Sequence, residues 1–294
     1  MAEKKVFINT FFSFSYIFFL KYNQMTHSLF GRYKNLIQFV ANWREHFKQK
    51  RNKHYIPIEI TTRGNGITFS VPTWSLYMVF KEIFMSDFYR IKQLVKLLPA
   101  NPVIIDIGGN AGYFNMMLFS QIDSAKVLAY EPIPENCKLF EENIKRNAIT
   151  SDKVKVFNLA VTGTPMEEIS IYKEVESDNS VTASVFNDFS SQNQNVIKIK
   201  AITLEQIIES NNLDSVDLLK LDCEGSEYPI IYETPKHVWS KVKMVYMEDH
   251  PLDTDKRNHQ SVIHFLQSLG FVCDSILADN DCYAVLATKI KKHV

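Results

Sequence analysis

Val103-Ile104-Ile105-Asp106-Ile107-Gly108-Gly109-Asn110-Ala111-Gly112-Tyr113-Phe114 runs from an apolar strand, through an acid and a glycine-rich turn, into the start of a helix. A short, continuously apolar run bounded by glycine is the pattern of a strand buried on both faces of a parallel sheet. Glycine at 108, 109 and 112 permits a sharp turn and lets a ligand approach the backbone, because no Cβ stands in the way. The spacing is not the dinucleotide fingerprint. G-x-G-x-x-G begun at Gly108 needs glycine at 110 and 113, where Asn110 and Tyr113 stand. What remains is D-x-G-x-N-x-G, whose carboxylate, Asp106, would repel a phosphate and suits a cationic cofactor better.

Strand and helix signals alternate beyond this turn. Residues 126–131 form a second strand ending in an acid, 134–147 a helix and 153–161 a strand. Two β-rich runs, 169–173 and 196–201, flank a polar insert, 174–195, and Thr203 then opens a helix. A buried strand over 216–221 ends at Asp222-Cys223-Glu224-Gly225, and another over 242–247 ends at Glu248-Asp249-His250-Pro251. After a helix over 260–269, the runs 271–275 and 282–288 pair as antiparallel closing strands. The pattern predicts an α/β fold, a doubly wound sheet that is mostly parallel with an antiparallel edge.

Upstream of the turn, the two alternating runs in 55–71 around Arg63-Gly64-Asn65-Gly66 predict a β-hairpin, and 75–98 a single helix ended by Pro99 and Pro102. The charged stretch 44–54 reads as the solvated end of a helix running into a linker. It divides an N-terminal helical extension, 1–52, from a main domain, 53–294, with the hairpin and helix in 53–100 and the core in 101–294.

Composition narrows the partners. Lys plus Arg and Asp plus Glu are both 33, so the chain lacks the positive footprint of a nucleic-acid binder, and 46% apolar residues suffice for a core. Cys137, Cys223, Cys273 and Cys282 contain no C-x-x-C pair, which predicts neither a metal framework nor a disulfide scaffold and suits a reducing cytoplasm. The Phe-rich run 6–20 is interrupted by Asn9, Thr10, Ser13 and Ser15, and is shorter than the roughly 20 apolar residues a spanning helix needs. It reads as a helix packing on the main domain or on the second subunit of a homodimer, with membrane contact through the N-terminus as the alternative.

In an open α/β sheet the ligand lies outside the carboxyl ends of the strands, so Asp106, Glu131, Asp222, Glu224, Glu248 and His250 converge on one crevice. Glu131 follows Gly112 by 19 residues, the offset of a carboxylate that accepts from both ribose hydroxyls of an adenosine cofactor. The alternative is an acid capping the helix that Pro132 and Pro134 help to start.

Five motifs in order, Asp106 to Phe114, Tyr130-Glu131-Pro132, Asn158-Leu159-Ala160-Val161, Ile202-Thr203-Leu204-Glu205 and Leu218 to Glu227, resemble the FkbM family of S-adenosylmethionine-dependent methyltransferases over about residues 80–250. The resemblance implies a class I methyltransferase (Rossmann-like) fold with S-adenosyl-L-methionine as cofactor. By that likeness Asp106 and the backbone of Gly108, Gly109, Asn110 and Gly112 face the methionine part, with Tyr113, Phe114 and Asp222 beside them. Glu131 and Pro132 would face the ribose, and Asn158, Leu159 and Ala160 the adenine. Cys223 stands where the family more often has an aliphatic residue, and is read as a small apolar substitution rather than a catalytic thiol.

Methyl transfer from a sulfonium requires alignment, exclusion of water and, for a hydroxyl acceptor, removal of a proton. The candidate bases are Asp222, Glu224, Glu248 and His250. Two other readings compete: Asp222, Glu224 and Glu248 holding a hard divalent cation, or Glu224 and Glu227 capping the helix after Gly225. Capping accounts for Glu227. The segment 177–184 is either an acceptor lid or plain surface. The expected activity is O-methylation of a sugar or other small hydroxylated metabolite, a small-molecule or glycan acceptor. The rivals are an NAD-dependent oxidoreductase or sugar-nucleotide enzyme, and a catalytically silent cofactor-binding scaffold.

Overall fold

The structure is a computed structural model and describes residues 28–173, 195–279 and 282–289. The Phe-rich run 6–20 and the segment 177–184, with the roles expected for them, lie outside the described residues. The strands are β1 Ile58–Thr61, β2 Thr68–Val71, β3 Val103–Ile107, β4 Lys126–Tyr130, β5 Val154–Phe157, β6 Ala160–Thr162, β7 Glu168–Lys173, β8 Asn195–Thr203, β9 Leu218–Leu221, β10 Met244–Asp249, β11 Phe271–Asp279 and β12 Cys282–Lys289.

The apolar run at the centre of the sequence argument is the central strand. β3 pairs in parallel with β4 on one side and β9 on the other, and the full sheet has the order β11-β12-β10-β9-β3-β4-β5. The chain leaves β3 to build one half through β4 and β5, then crosses to β9 and β10 for the other, so the crevice falls at the carboxyl ends of β3 and β9. The two closing strands pair antiparallel as expected. β12 alone opposes its neighbours, pairing antiparallel with both β10 and β11, so β11 runs with the parallel strands.

Alternate residues of these strands bury opposite faces, which is why they read as uninterrupted apolar runs. Ile104, Val127, Leu218 and Tyr246 face one core, and Ile105, Leu128, Leu219 and Val245 the other. The first core also takes in Leu36 and Phe39 of the helix Leu29–Phe39, so the described residues before 53 are continuous with the main domain rather than set off from it. Nor is 44–54 a linker. Arg44–Arg51 is a helix that buries His46 and Gln49, and the Tyr77 hydroxyl lies 2.7 Å from His46 Nδ1.

The hairpin docks through side-chain amides. Asn143 Oδ1 accepts from Ser70 N at 2.9 Å, Asn147 Oδ1 from Thr68 N at 2.8 Å, and Asn65 Nδ2 donates to Phe119 O at 2.9 Å. These bonds satisfy backbone groups that the two-stranded sheet leaves over.

Two expected elements are broken. The helix 75–98 is two helices, Trp74–Phe80 and Ile91–Leu97, separated by a π-helical turn, Lys81–Met85, and by the left-handed residues Asp87 and Arg90. Asp87 Oδ1 accepts from Ile91 N at 2.9 Å and restarts the helix, while Arg90 is buried against Asp274 at 3.1 Å. The strand 153–161 divides at Asn158 into β5 in the main sheet and β6 in a small second sheet, β6-β8-β7. Asn158 causes the division by donating through Nδ2 to Glu131 O and Pro132 O, both at 2.9 Å.

Candidate active site

The carboxyl ends of β3, β4, β9 and β10 open on one cleft, reached from the other side by the turn Lys81–Met85. Of the expected residues, Gly108, Gly109, Asn110, Tyr113, Phe114, Glu131, Pro132, Leu159, Ala160, Asp222, Glu224 and Glu248 line it. Asp106, Gly112, Asn158 and His250 do not.

Gly108 has φ +78°, and a Cβ on it would stand 1.7 Å from the carbonyl oxygen of Asp222. A Cβ on Gly112 would stand 2.1 Å from the Phe140 ring. Both glycines thus serve close packing of the turn, on the end of β9 and on the helix Pro134–Lys145, rather than only the approach of a ligand. The turn is held from the side by Glu131, whose Oε2 accepts from Asn110 N at 2.7 Å and Oε1 from Ile133 N at 2.9 Å. Burial pushes this carboxyl up to about 7, against the hydrogen bonds that favour its ionised form. Oε1 also lies 3.5 Å from Asn136 Nδ2, the helix from Pro134 has no side-chain cap, and Oε2 is the oxygen with a second lone pair for the cleft that Glu131 lines. Ile133, Leu159, Ala160, Val161 and Ile171 make the wall beside it apolar.

Asp106 takes a different place from the one expected. It is fully buried beneath the turn, with Oδ1 3.0 Å from Lys220 Nζ and Oδ2 accepting from Asn115 Nδ2. The physical reason is that a carboxylate in the middle of the sheet requires a counter-ion, and Lys220 is its register partner on β9. Lys220 Nζ also donates to Gly108 O at 2.9 Å, lies 3.5 Å from Asp222 Oδ2, and sits over the Tyr89 and Phe114 rings. Burial opposes its charge, yet Asp106 and then Asp222 outweigh burial and raise the ammonium above the ordinary lysine range. Lys220 was legible as a lone lysine inside the otherwise apolar Leu218–Leu221, opposite a lone acid in β3. Glu82 and Tyr89, which line the cleft from the broken helix, had no such signal.

Burial also works against the charge of Asp222, but Lys220 and a 2.6 Å hydrogen bond from the Tyr89 hydroxyl hold its carboxyl below the usual range. Its neighbours are moved the other way. Burial pushes Glu224 up to about 8, and burial with Asp222 and Glu82 raises Glu248 well above a normal carboxyl. Behind them His250 Nε2 lies 3.6 Å from both Glu224 Oε2 and Glu248 Oε1, and Nδ1 3.3 Å from Glu227 Oε1. Burial works against the charge of this imidazole, but Glu227 first and then Glu224 and Glu248 outweigh it and raise His250 well above the ordinary histidine range. Glu227 stands in the first turn of its helix without a capping hydrogen bond. It accepts from Cys223 N at 2.7 Å and faces His250 with the same oxygen.

The strand order, the reversed β12 and a glycine turn paired with an acid at the end of β4 define a class I methyltransferase fold. The family model for the methyltransferase FkbM domain matches residues 106–273, and the chain belongs to that family, one that uses S-adenosylmethionine. The chain is 22% identical over 260 residues to the 31-O-demethyl-FK506 methyltransferase FkbM of Streptomyces tacrolimicus, covering 79% of this chain and 97% of that one. It is 26% identical over 194 residues to the methyltransferase sdnD of Sordaria araneosa, covering 58% and 73%. Against the AMB antimetabolite synthetase AmbE of Pseudomonas aeruginosa it is 24% identical over 251 residues, 70% of this chain but only 11% of that much longer protein. The solved methyltransferase FkbM from Methylobacillus flagellatus aligns at a TM-score of 0.44 and 14% identity, over 73% of this chain and 53% of that one. Among the described residues no helix is long and apolar enough to cross a membrane.

The residues of the cleft fit an adenosylated sulfonium. An apolar wall suits an adenine, the buried Glu131 carboxylate suits a ribose hydroxyl through Oε2, and the Asp222 carboxylate suits the positive charge of the amino acid end.

Proposed function

We propose that this protein is an S-adenosylmethionine-dependent O-methyltransferase acting on a sugar or other small hydroxylated acceptor. The observation that carries the reading is a cleft lining that joins apolar residues beside Glu131, such as Ile133, Leu159 and Val161, to polar ones that include Glu82, Asp222 and Ser226. Bound against the apolar residues, the cofactor supplies an electrophilic methyl group. Glu131 accepts from a ribose hydroxyl through Oε2, and the turn at Gly108 to Asn110, fixed by Glu131 and Lys220, sets the height at which the donor lies. Glu82 and Ser226 orient acceptor hydroxyls by hydrogen bonding, and Asp222 takes the hydroxyl proton on a carboxylate oxygen. Tyr89 and Lys220 hold Asp222 in place through the other face of that group. The 31-O-demethyl-FK506 relative, whose name describes transfer to an oxygen, supports the same reaction class.

Transfer of a labelled methyl group from S-adenosylmethionine to a panel of glycans and small polyols tests this reading. A single added methyl is expected in the product, and Asp222→Asn should lower kcat by about 10²- to 10⁴-fold. Tight binding of NAD with no response to S-adenosylhomocysteine would overturn the donor assignment. Binding of S-adenosylhomocysteine with no methyl transfer to any acceptor would identify a silent scaffold.

A further inference from the structure

We propose that Glu224, Glu248, His250 and Cys282 form a site for one divalent transition-metal ion of the zinc type, a staple in the wall of the cleft. The four side chains come from three separate segments: the turn after β9, the end of β10 and the start of β12. One potential donor atom from each of Glu248, His250 and Cys282 lies within 4.8 Å of the other two. Cys282 Sγ is 3.1 Å from Glu248 Oε1, and His250 Nε2 is 3.6 Å from both Glu248 Oε1 and Glu224 Oε2. Tetrahedral zinc with bonds of about 2.0 Å to oxygen and nitrogen and about 2.3 Å to sulfur places its ligand atoms about 3.3–3.6 Å apart. Glu248, His250 and Cys282 are therefore already spaced close to a coordination shell, and Glu224 would swing in from beside His250 to complete it.

A second observation concerns the histidine. A zinc-bound imidazole donates its other ring N–H to a carboxylate, which fixes the ring and its tautomer. Glu227 is fully buried, with Oε1 3.3 Å from His250 Nδ1, so it aims Nε2 at the other three ligands. A thiolate and an imidazole select a borderline-soft ion over calcium or magnesium, which take oxygen ligands. The hard-cation trio read from the sequence, Asp222 with Glu224 and Glu248, is less suitable, because Asp222 is turned to Tyr89 and Lys220. Metal binding would break the S–H bond of Cys282 and the Nε2–H bond of His250, form the metal–sulfur and metal–nitrogen bonds in their place, and release both protons, with any held on Glu224 and Glu248, to solvent.

The test uses the full chain stripped with a chelator, without methyl donor or acceptor. Calorimetry with Zn²⁺ should show one equivalent bound with proton release, and Co²⁺ should give a thiolate-to-metal charge-transfer absorption. Cys282→Ser should abolish that absorption and His250→Ala should weaken zinc binding at least about tenfold. Glu227→Gln should weaken it about 10- to 100-fold while keeping the absorption. Cys273→Ser, altering a half-buried cysteine on β11, should leave both unchanged. Each variant's metal-free unfolding temperature reports whether it still folds. Failure of the wild type to take up a stoichiometric ion, or an absorption that survives Cys282→Ser, would overturn the proposal. Because no methyl donor is present, failure here leaves the methyltransferase reading untouched, and success does not depend on it.

Discussion

Burial lifts the Glu131 carboxyl to about 7, so near neutrality it is poised between its two forms. Its pKa is raised on folding, so the stability it contributes is full below about 4.5 and is lost as the pH rises through about 7. Ribose hydroxyls donate best to the ionised form. Affinity for S-adenosylhomocysteine should therefore tighten between about pH 6 and about pH 8 with release of a proton, and calorimetry should find that slope gone in Glu131→Gln. Lys220 makes a prediction of a different kind. Lys220→Met leaves Asp106 charged and buried without its partner, which should cost about 3–5 kcal/mol in denaturant unfolding, and Asp106→Asn in the same chain should recover part of the loss. The acids and glycines of the site were legible because strand ends fix where they fall. Their individual roles were not. Asp106 and Asp222 look alike as acids at or near strand ends, and only the register of β3 against β9 shows that the first is consumed by Lys220 while the second reaches the cleft.

At the scale of elements, the alternation of apolar runs placed the central strands correctly, since burial on both faces leaves a strong trace. It failed where tertiary contacts override local preference. Periodicity alone cannot show that Asp87 and Arg90 adopt left-handed conformations, because Arg90 is drawn out of a helix by Asp274, far along the chain. That break is what sets the Tyr89 hydroxyl on Asp222. Tyr89→Phe should raise the acid limb of the pH–rate profile for methyl transfer, because removing the hydrogen bond lets the Asp222 carboxyl move upward. In the turn after β3, Gly108→Ala places a methyl group on the Asp222 carbonyl and strains a left-handed residue. Binding of S-adenosylhomocysteine and thermal stability should fall together.

Across the whole molecule, the first described helix shares its core with the sheet, so the described chain should unfold as one unit. Leu36→Ala should cost about 2–5 kcal/mol and shift a single transition, followed in parallel by tryptophan fluorescence and far-ultraviolet circular dichroism. The charges at 44–54 do not mark a wholly solvated helix end, because a helix with five charged residues among its eight still buries His46 and Gln49. The π-helical turn at Lys81–Met85, where Ser86 N reaches back five residues to Lys81 O, amounts to one residue inserted into a helix. Its removal by a single codon deletion would restore ordinary winding and swing the flanking side chains by about 100°. Glu82 and Val79 would then trade places with their neighbours at the rim of the cleft. A one-residue change of length in this turn should accordingly reshape one rim of the cleft while leaving Glu131 and the turn after β3 as they are.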